Sequence, residues 1–93
     1  MRELDEQDGV FSALAHPARR QILLVLHARG SRVRAGEIAE RFACSWPTTT
    51  RHLGVLRQAG LVRVEREGRE RFYALDPMRL NRVVGGWLES FGT

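Results

Sequence analysis

Lysine is missing from this chain: all 15 basic residues are arginine, set against 11 acids. A guanidinium presents a planar fork that binds phosphate bidentately, whereas an ammonium is a point charge. The net charge of +4 understates the local bias, because Glu3, Asp5, Glu6 and Asp8 crowd the start and the remainder is strongly basic. Such a balance suits a polyanionic partner. Cysteine is nearly absent too. A lone Cys44 excludes an internal disulfide, and with His16, His27 and His52 scattered around it no zinc-site spacing arises. No apolar run approaches a membrane span, and the acidic start lacks the basic and apolar regions of a secretory signal, so a cytoplasmic protein is expected. No Ser-His-Asp, Cys-His or phosphate-cradling glycine arrangement is present in usable form, which argues against an enzyme.

What is present reads as a single domain over residues 1–93, with no repeat, low-complexity tract or linker. A first helix is expected over about Gly9 to Ala15, broken by His16-Pro17. A core helix follows from Pro17 to about Ala28, its apolar face made of Ile22, Leu23, Val25 and Leu26, with Gly30 as its stop. Gly30 to Gly36 reads as a basic loop, and residues 37–42 as a short amphipathic helix with Ile38, Ala39 and Phe42 inward. Ala43-Cys44 supplies a turn, with Cys44 read as compact core filler. Ser45 is placed to cap the next helix and Pro47 falls in its first turn.

Advancing about 100° per residue from Ser45 to Ala59 puts Thr49, His52, Leu53 and Leu56 on one side. Trp46, Pro47, Thr50, Arg51 and Gly54 fall roughly opposite, exposed. Gly60 ends this helix, and Val62 and Val64 then alternate with Arg63 and Glu65 as a half-buried strand. Glu67-Gly68-Arg69 makes a turn, residues 71–75 return as a second strand, and Asp76-Pro77 opens a last helix to about Phe91.

Two helices joined by a three- or four-residue turn let the second enter a major groove while the first braces it. Thr50 and Arg51 project from its first two turns, and Arg can bond guanine O6 and N7 together. An exposed Trp46 has two readings: packing on a thymine methyl or sugar, or covering its own helix end. Arg66, Arg69 and Arg71 gather near the hairpin tip, where they can straddle a phosphate backbone or instead pair with Glu65, Glu67 and Glu70.

These residues match a familiar order: Leu14-Ala15-His16-Pro17-Ala18-Arg19-Arg20-Gln21-Ile22-Leu23, then Gly36-Glu37-Ile38-Ala39, Arg51-His52-Leu53, Leu56, Ala59-Gly60-Leu61-Val62 and Arg66-Glu67-Gly68-Arg69. From about Phe11 to Leu75 the chain resembles the ArsR/SmtB family of bacterial repressors. That resemblance implies a fold mainly α with a two-stranded β wing, a winged helix-turn-helix in which four helices precede the hairpin and a fifth follows it. It also implies a homodimer on a double-stranded DNA operator of inverted-repeat form. By the same similarity Trp46, Pro47, Thr48, Thr50 and Arg51 read bases, while Ser45, Arg66, Arg69 and Arg71 serve the DNA backbone and the wing. The family pairs through its first and last helices. Phe11 and Leu14 lie on the first, and Leu80, Val83, Val84, Trp87, Leu88 and Phe91 recur at helical spacing on the last. Such a broad stripe needs a cover, either the second subunit or the domain's own core.

The chain departs from the metal-sensing members. Their Cys-x-Cys pair falls here at Arg34 and Gly36, and residues 77–93 contain neither His nor Asp. No metal or other cofactor is expected, and the resemblance is to the metal-independent branch. A small-molecule effector is compatible with that branch, although no residue type marks a pocket for one. His52 reads either as a structural side chain clamping the wing or as a titrating group coupling affinity to pH. The competing reading is a winged-helix module that binds protein or RNA.

Overall fold

Each of the three prolines lies in the first turn of a helix, and the residue before each of those three helices caps it through its side chain. In the computed structural model, which describes residues 3–42 and 45–92, helix α1 spans Glu3–Leu14, α2 Pro17–Arg29, α3 Ala35–Phe42, α4 Trp46–Gln58 and α5 Pro77–Glu89. His16 Nδ1 accepts from the Ala18 N–H, Ser45 Oγ from the Thr48 N–H and Asp76 Oδ1 from the Met78 N–H. Each bond satisfies one amide that a helix start leaves unpaired. His16 is therefore a working cap as well as a break. Gly30 and Gly60 take the left-handed conformation, at φ 68° and 79°, that ends α2 and turns the chain out of α4.

Three differences from expectation have physical reasons. Helix α1 begins near Glu3 rather than Gly9. Its early acids suit a helix N-terminus, and Glu6 is held from outside by Arg79 at 3.1 Å and Arg82 at 2.7 Å, both on α5. The basic loop before α3 contains a strand, β1 (Val33–Arg34), so α3 starts at Ala35 rather than Glu37. With β2 (Val62–Glu67) and β3 (Glu70–Leu75) it makes a three-stranded antiparallel sheet in the order β1-β3-β2, not a bare two-stranded hairpin. Two residues are too few to show a period; pairing of Val33 with Tyr73 and Arg34 with Phe72 along the open edge of β3 creates this strand. Helix α5 ends at Glu89, short of Phe91, in a run of tighter turns. Cys44, read as the turn's core filler, lies outside the described residues.

The core is one cluster: Ile22, Leu23 and Leu26 of α2, Ile38 of α3, Leu53 and Leu56 of α4, Leu61, Val62 and Tyr73 around the sheet, with Val10 and Ala13 of α1. It holds α4 by its inward stripe alone, which leaves the opposite side of that helix free for another body. No buried side-chain nitrogen or oxygen among the described residues lacks a hydrogen-bond partner.

Candidate nucleic-acid interface

Helix α4 is set by its cap and by its buried stripe. Ser45 Oγ accepts from the Thr48 N–H at 3.3 Å and donates to Thr48 Oγ1 at 2.9 Å, while Thr49 Oγ1 donates back to the Ser45 carbonyl at 3.0 Å. Ser45 and Thr48 are thus engaged with each other at the helix start. Thr49, His52, Leu53 and Leu56 are buried. Pro47, Arg51, Gly54 and Gln58 form an exposed outer ridge. Trp46, Thr50 and Arg57 lie along the flank that faces the hairpin. Trp46 and Thr50 share a groove of about 580 Å³ with Arg69 and Arg71 of the wing, floored by Tyr73. Thr48 stands apart, half-buried on the far flank. Trp46 is 56% exposed, so most of its indole remains available for contact.

The hairpin's alternating charges separate by face. Arg66 lies directly opposite Arg71 and Val64 opposite Tyr73, so these share the side turned toward α4; Glu65 opposite Phe72 and Glu67 opposite Glu70 share the other. Every acid on that outer face is engaged by an arginine from around β1. Arg32 pairs with Glu67 and, at 3.6 Å, with Glu65, and its guanidinium lies 4.1 Å from the Phe72 ring centroid. Arg34 approaches Glu70 and Glu37 at 3.6 Å each. The wing's acids therefore pair with arginines outside the hairpin. Among the described residues Arg51, Arg57, Arg66, Arg69 and Arg71 have no carboxylate partner. Arg57 was missed in the sequence, although it sits two helical turns after Thr50 and so on the same flank. Arg32 and Arg34 fall in the stretch expected as a basic loop, where no local signal marks their partners on the distant hairpin.

Behind α4, the buried His52 packs against the start of α2 rather than clamping the wing. Its ring centroid is 4.4 Å from that of His16, and Arg19 Nη1 lies 3.4 Å from His52 Nδ1. A guanidinium can only donate, so this contact is a hydrogen bond when Nδ1 is the unprotonated nitrogen of a neutral imidazole. Burial, followed by the charges of His16, Arg19 and Arg51, holds its pKa below the ordinary imidazole value. Arg19 also donates to the Ala13 and Ser12 carbonyls at 2.7 and 3.2 Å, and Arg20 to that of Leu14 at 2.7 Å. These bonds cap the end of α1 and tie it to the helix that supports α4.

On the other side of the molecule α5 packs along α1. Phe11 meets Trp87 edge-on at 5.2 Å, and Trp87 meets Phe91 at 4.9 Å. Val83 is buried within the domain, and Leu14, Leu80 and Val84 are partly covered against the core. Trp87, Leu88 and Phe91 remain 41%, 58% and 71% exposed, forming an apolar end to the stripe.

Among the described residues no group of three or more His, Cys, Asp or Glu could hold a metal ion, and no helix is long and apolar enough to cross a membrane.

A bracing helix, a capped helix standing proud of the core and a charged hairpin beside it define a winged helix-turn-helix, the architecture of a DNA-binding regulator. Residues 14–65 match the helix-turn-helix domain family. The chain is 36% identical over 84 residues to the transcriptional repressor SdpR of Bacillus subtilis, covering 90% of each. It is 31% identical to a crystal structure of an ArsR family transcriptional regulator, with a TM-score of 0.83 over 92% of this chain and 86% of that one. A homodimeric winged helix-turn-helix DNA-binding domain from Mycobacterium bovis, solved by NMR, is 26% identical, with a TM-score of 0.76 over 94% of this chain and 80% of that one. The protein belongs to the ArsR/SmtB family of transcriptional regulators.

Proposed function

We propose that this regulator is a homodimeric repressor, acting in the cytoplasm, which binds an inverted-repeat DNA operator through α4 and the wing. The observation that carries the reading is the partition of charge on the hairpin: its acids are held on the outer face, and the arginines facing α4 are left uncommitted. An anionic ligand between the end of α4 and the wing, beside Arg57, Arg66 and Arg71, meets no lining carboxylate, and in the larger groove Glu70 is approached by Arg34 rather than by the wing's own arginines. Helix α4 supplies the base-reading surface. Arg51 and Thr50 stand clear of the core, and Trp46 offers an apolar edge for a thymine methyl or sugar. Arg69 at the wing tip reaches phosphate or the minor groove.

The second copy docks on the exposed end of the α1–α5 face, where Trp87, Leu88 and Phe91 gather. Phe11 beneath Trp87 anchors that surface to α1. A twofold axis through it sets two α4 helices about one DNA turn apart, roughly 34–36 Å, and this geometry requires an inverted repeat. The similarity to SdpR and to the homodimeric M. bovis domain supports both parts of the reading.

A mobility shift on the protein's own promoter region, alongside sedimentation of the free protein, tests the proposal. A dimer that prefers the inverted repeat over a scrambled duplex of equal length is the expected result. Equal affinity for both duplexes points instead to a module recognising RNA or protein, and a monomer at binding concentrations removes the twofold geometry.

A further inference from the structure

Between the last turn of α4 and the inner face of the wing lies a second cleft, of about 430 Å³, lined by Arg57, Val64, Arg66, Arg71 and Tyr73. Three guanidinium groups border it and no carboxylate does. The larger groove beside it, in contrast, contains Glu37, Glu40 and Glu70 among its walls. Arg66 and Arg71 face each other directly across the two strands. Like charges so placed oppose strand pairing, and the hairpin carries Glu67 one residue away, from which either arginine could have drawn a partner. The register sends that acid to the other face instead. Arg57 completes the set from a different element. As a residue in the last turn of α4 it complements the helix dipole, but that role needs only one cation and leaves the other two unexplained.

We propose that Arg57, Arg66 and Arg71 form a phosphate-binding cleft that clasps a backbone phosphodiester of the DNA. The inference rests on the reading of α4 as the major-groove helix and adds Arg57 and the shared anion to it. A helix in one groove and a hairpin at the adjoining groove lie on either side of a single sugar-phosphate strand, so the seam between them is where that strand must run. A phosphodiester there carries the one negative charge that relieves the Arg66–Arg71 repulsion, and its two free oxygens accept from guanidinium forks on both walls. Val64 and Tyr73, both packed against the core, fix the wall of the cleft from which Arg66 and Arg71 project.

Salt titration of DNA binding by the full chain distinguishes a built site from general positive charge. Arg57→Gln is compared with Arg63→Gln, which removes the same charge from the exposed outer face of β2. Arg57→Gln is expected to lower the slope of log K against log salt by about 1 and to weaken operator and scrambled duplex by the same factor. Arg63→Gln should leave the slope at the wild-type value, and Arg57→Lys should restore most of the lost slope. Ethylation interference should lose one protected phosphate per half-site in Arg57→Gln. A wild-type slope in Arg57→Gln, or equal losses in the Arg57 and Arg63 variants, overturns the cleft. Since the slope is read on either duplex, absence of operator preference in the unaltered protein would defeat the repressor reading while still leaving the cleft to be decided by its own comparison. Thermal unfolding of each variant checks that the fold is intact.

Discussion

The surface around α4 and the wing and the surface at the end of α5 both differ from an ordinary protein exterior, in opposite directions. One gathers arginines, with its neighbouring acids Glu37 and Glu70 held in ion pairs by arginines of other elements; the other gathers aromatic and aliphatic side chains. Where ion pairs occur they fasten elements together. Glu6 joins α1 to α5, Glu37 joins α3 to Arg29 of α2, and Arg32 and Arg34 brace the outer face of the wing. Exposed pairs of this kind each add little stability. Their larger consequence here is geometric, since acids occupied in bracing are not available to neutralise the arginines beside α4.

The comparison breaks most decisively at Leu88, which is 58% exposed beside Trp87 on α5. Leu88→Asp should leave the protomer folded by circular dichroism but monomeric by sedimentation, and should weaken operator binding at least about 30-fold, as expected for a charge placed in an apolar interface centre. A dimeric Leu88→Asp protein would move the twofold contact elsewhere.

Next in size is Arg51→Ala. It should reduce discrimination between operator and scrambled duplex by about 10- to 100-fold, the value of one bidentate base contact. Arg69→Ala should instead weaken both duplexes alike and lower the salt slope by about 1. Equal behaviour of the two variants in a competition assay would erase the distinction between reading helix and wing.

A smaller effect sharpens the account of the outer ridge. Gly54 sits mid-helix, and a Cβ built there meets nothing within 4 Å. Nothing inside the chain requires glycine, although in a helix interior it costs about 0.5–1 kcal/mol relative to Ala. Gly54→Ala should raise the unfolding midpoint by a few degrees while lowering operator affinity, because the added methyl stands where the groove floor approaches. Unchanged affinity in a mobility shift would show that DNA does not come close to the helix backbone there.

The smallest expected effect is that of pH on the support behind α4. His52 has a folded pKa below its unfolded value of about 6.5, so the unfolded chain binds more protons through that interval. Its stabilising contribution is complete above that pH and is lost as pH falls toward the folded pKa. Protonation also ends the acceptor role of Nδ1 and adds charge beside Arg19, Arg51 and His16. The midpoint of thermal unfolding should therefore decline on acidification from about 7 to about 5.5, and His52→Gln should flatten that decline. Glu6 and Glu37, held below the ordinary carboxylate value chiefly by their bonds to Arg82 and Arg29, contribute a second decline that sets in as pH falls below about 4.5. A midpoint flat between 7 and 5.5 would mean that His52 is equally at ease charged and neutral.

Much of the fold could be read along the chain where a local signal coincided with a periodic one. Ser45 with Pro47, Asp76 with Pro77, and the glycines after α2 and α4 marked helix limits because caps and left-handed stops are satisfied within a few residues. The early turns of α1 were not legible, since Gly9 interrupts the pattern and Glu6 gains its partners only from α5. Strand β1 was not legible either: two residues have no periodicity, and their pairing partner lies far along the chain on β3. Of the interface, the Thr50–Arg51 exposure followed from helical geometry, whereas Arg57 carries no distinguishing local signal, because a cation in a last helical turn already suits the helix dipole.

The order of residues alone determined that helix α4 would be capped at Ser45, bury Thr49, His52, Leu53 and Leu56, and present Arg51 outward, because these depend on backbone hydrogen bonding and a fixed rotation per residue. It also determined the alternation of Arg and Glu along the hairpin. Where β1 would pair, and which distant arginines would occupy the acids, was decided only by tertiary structure. Those outcomes depend on how β1 and its flanking residues meet β3, a contact between segments with no local signal to join them.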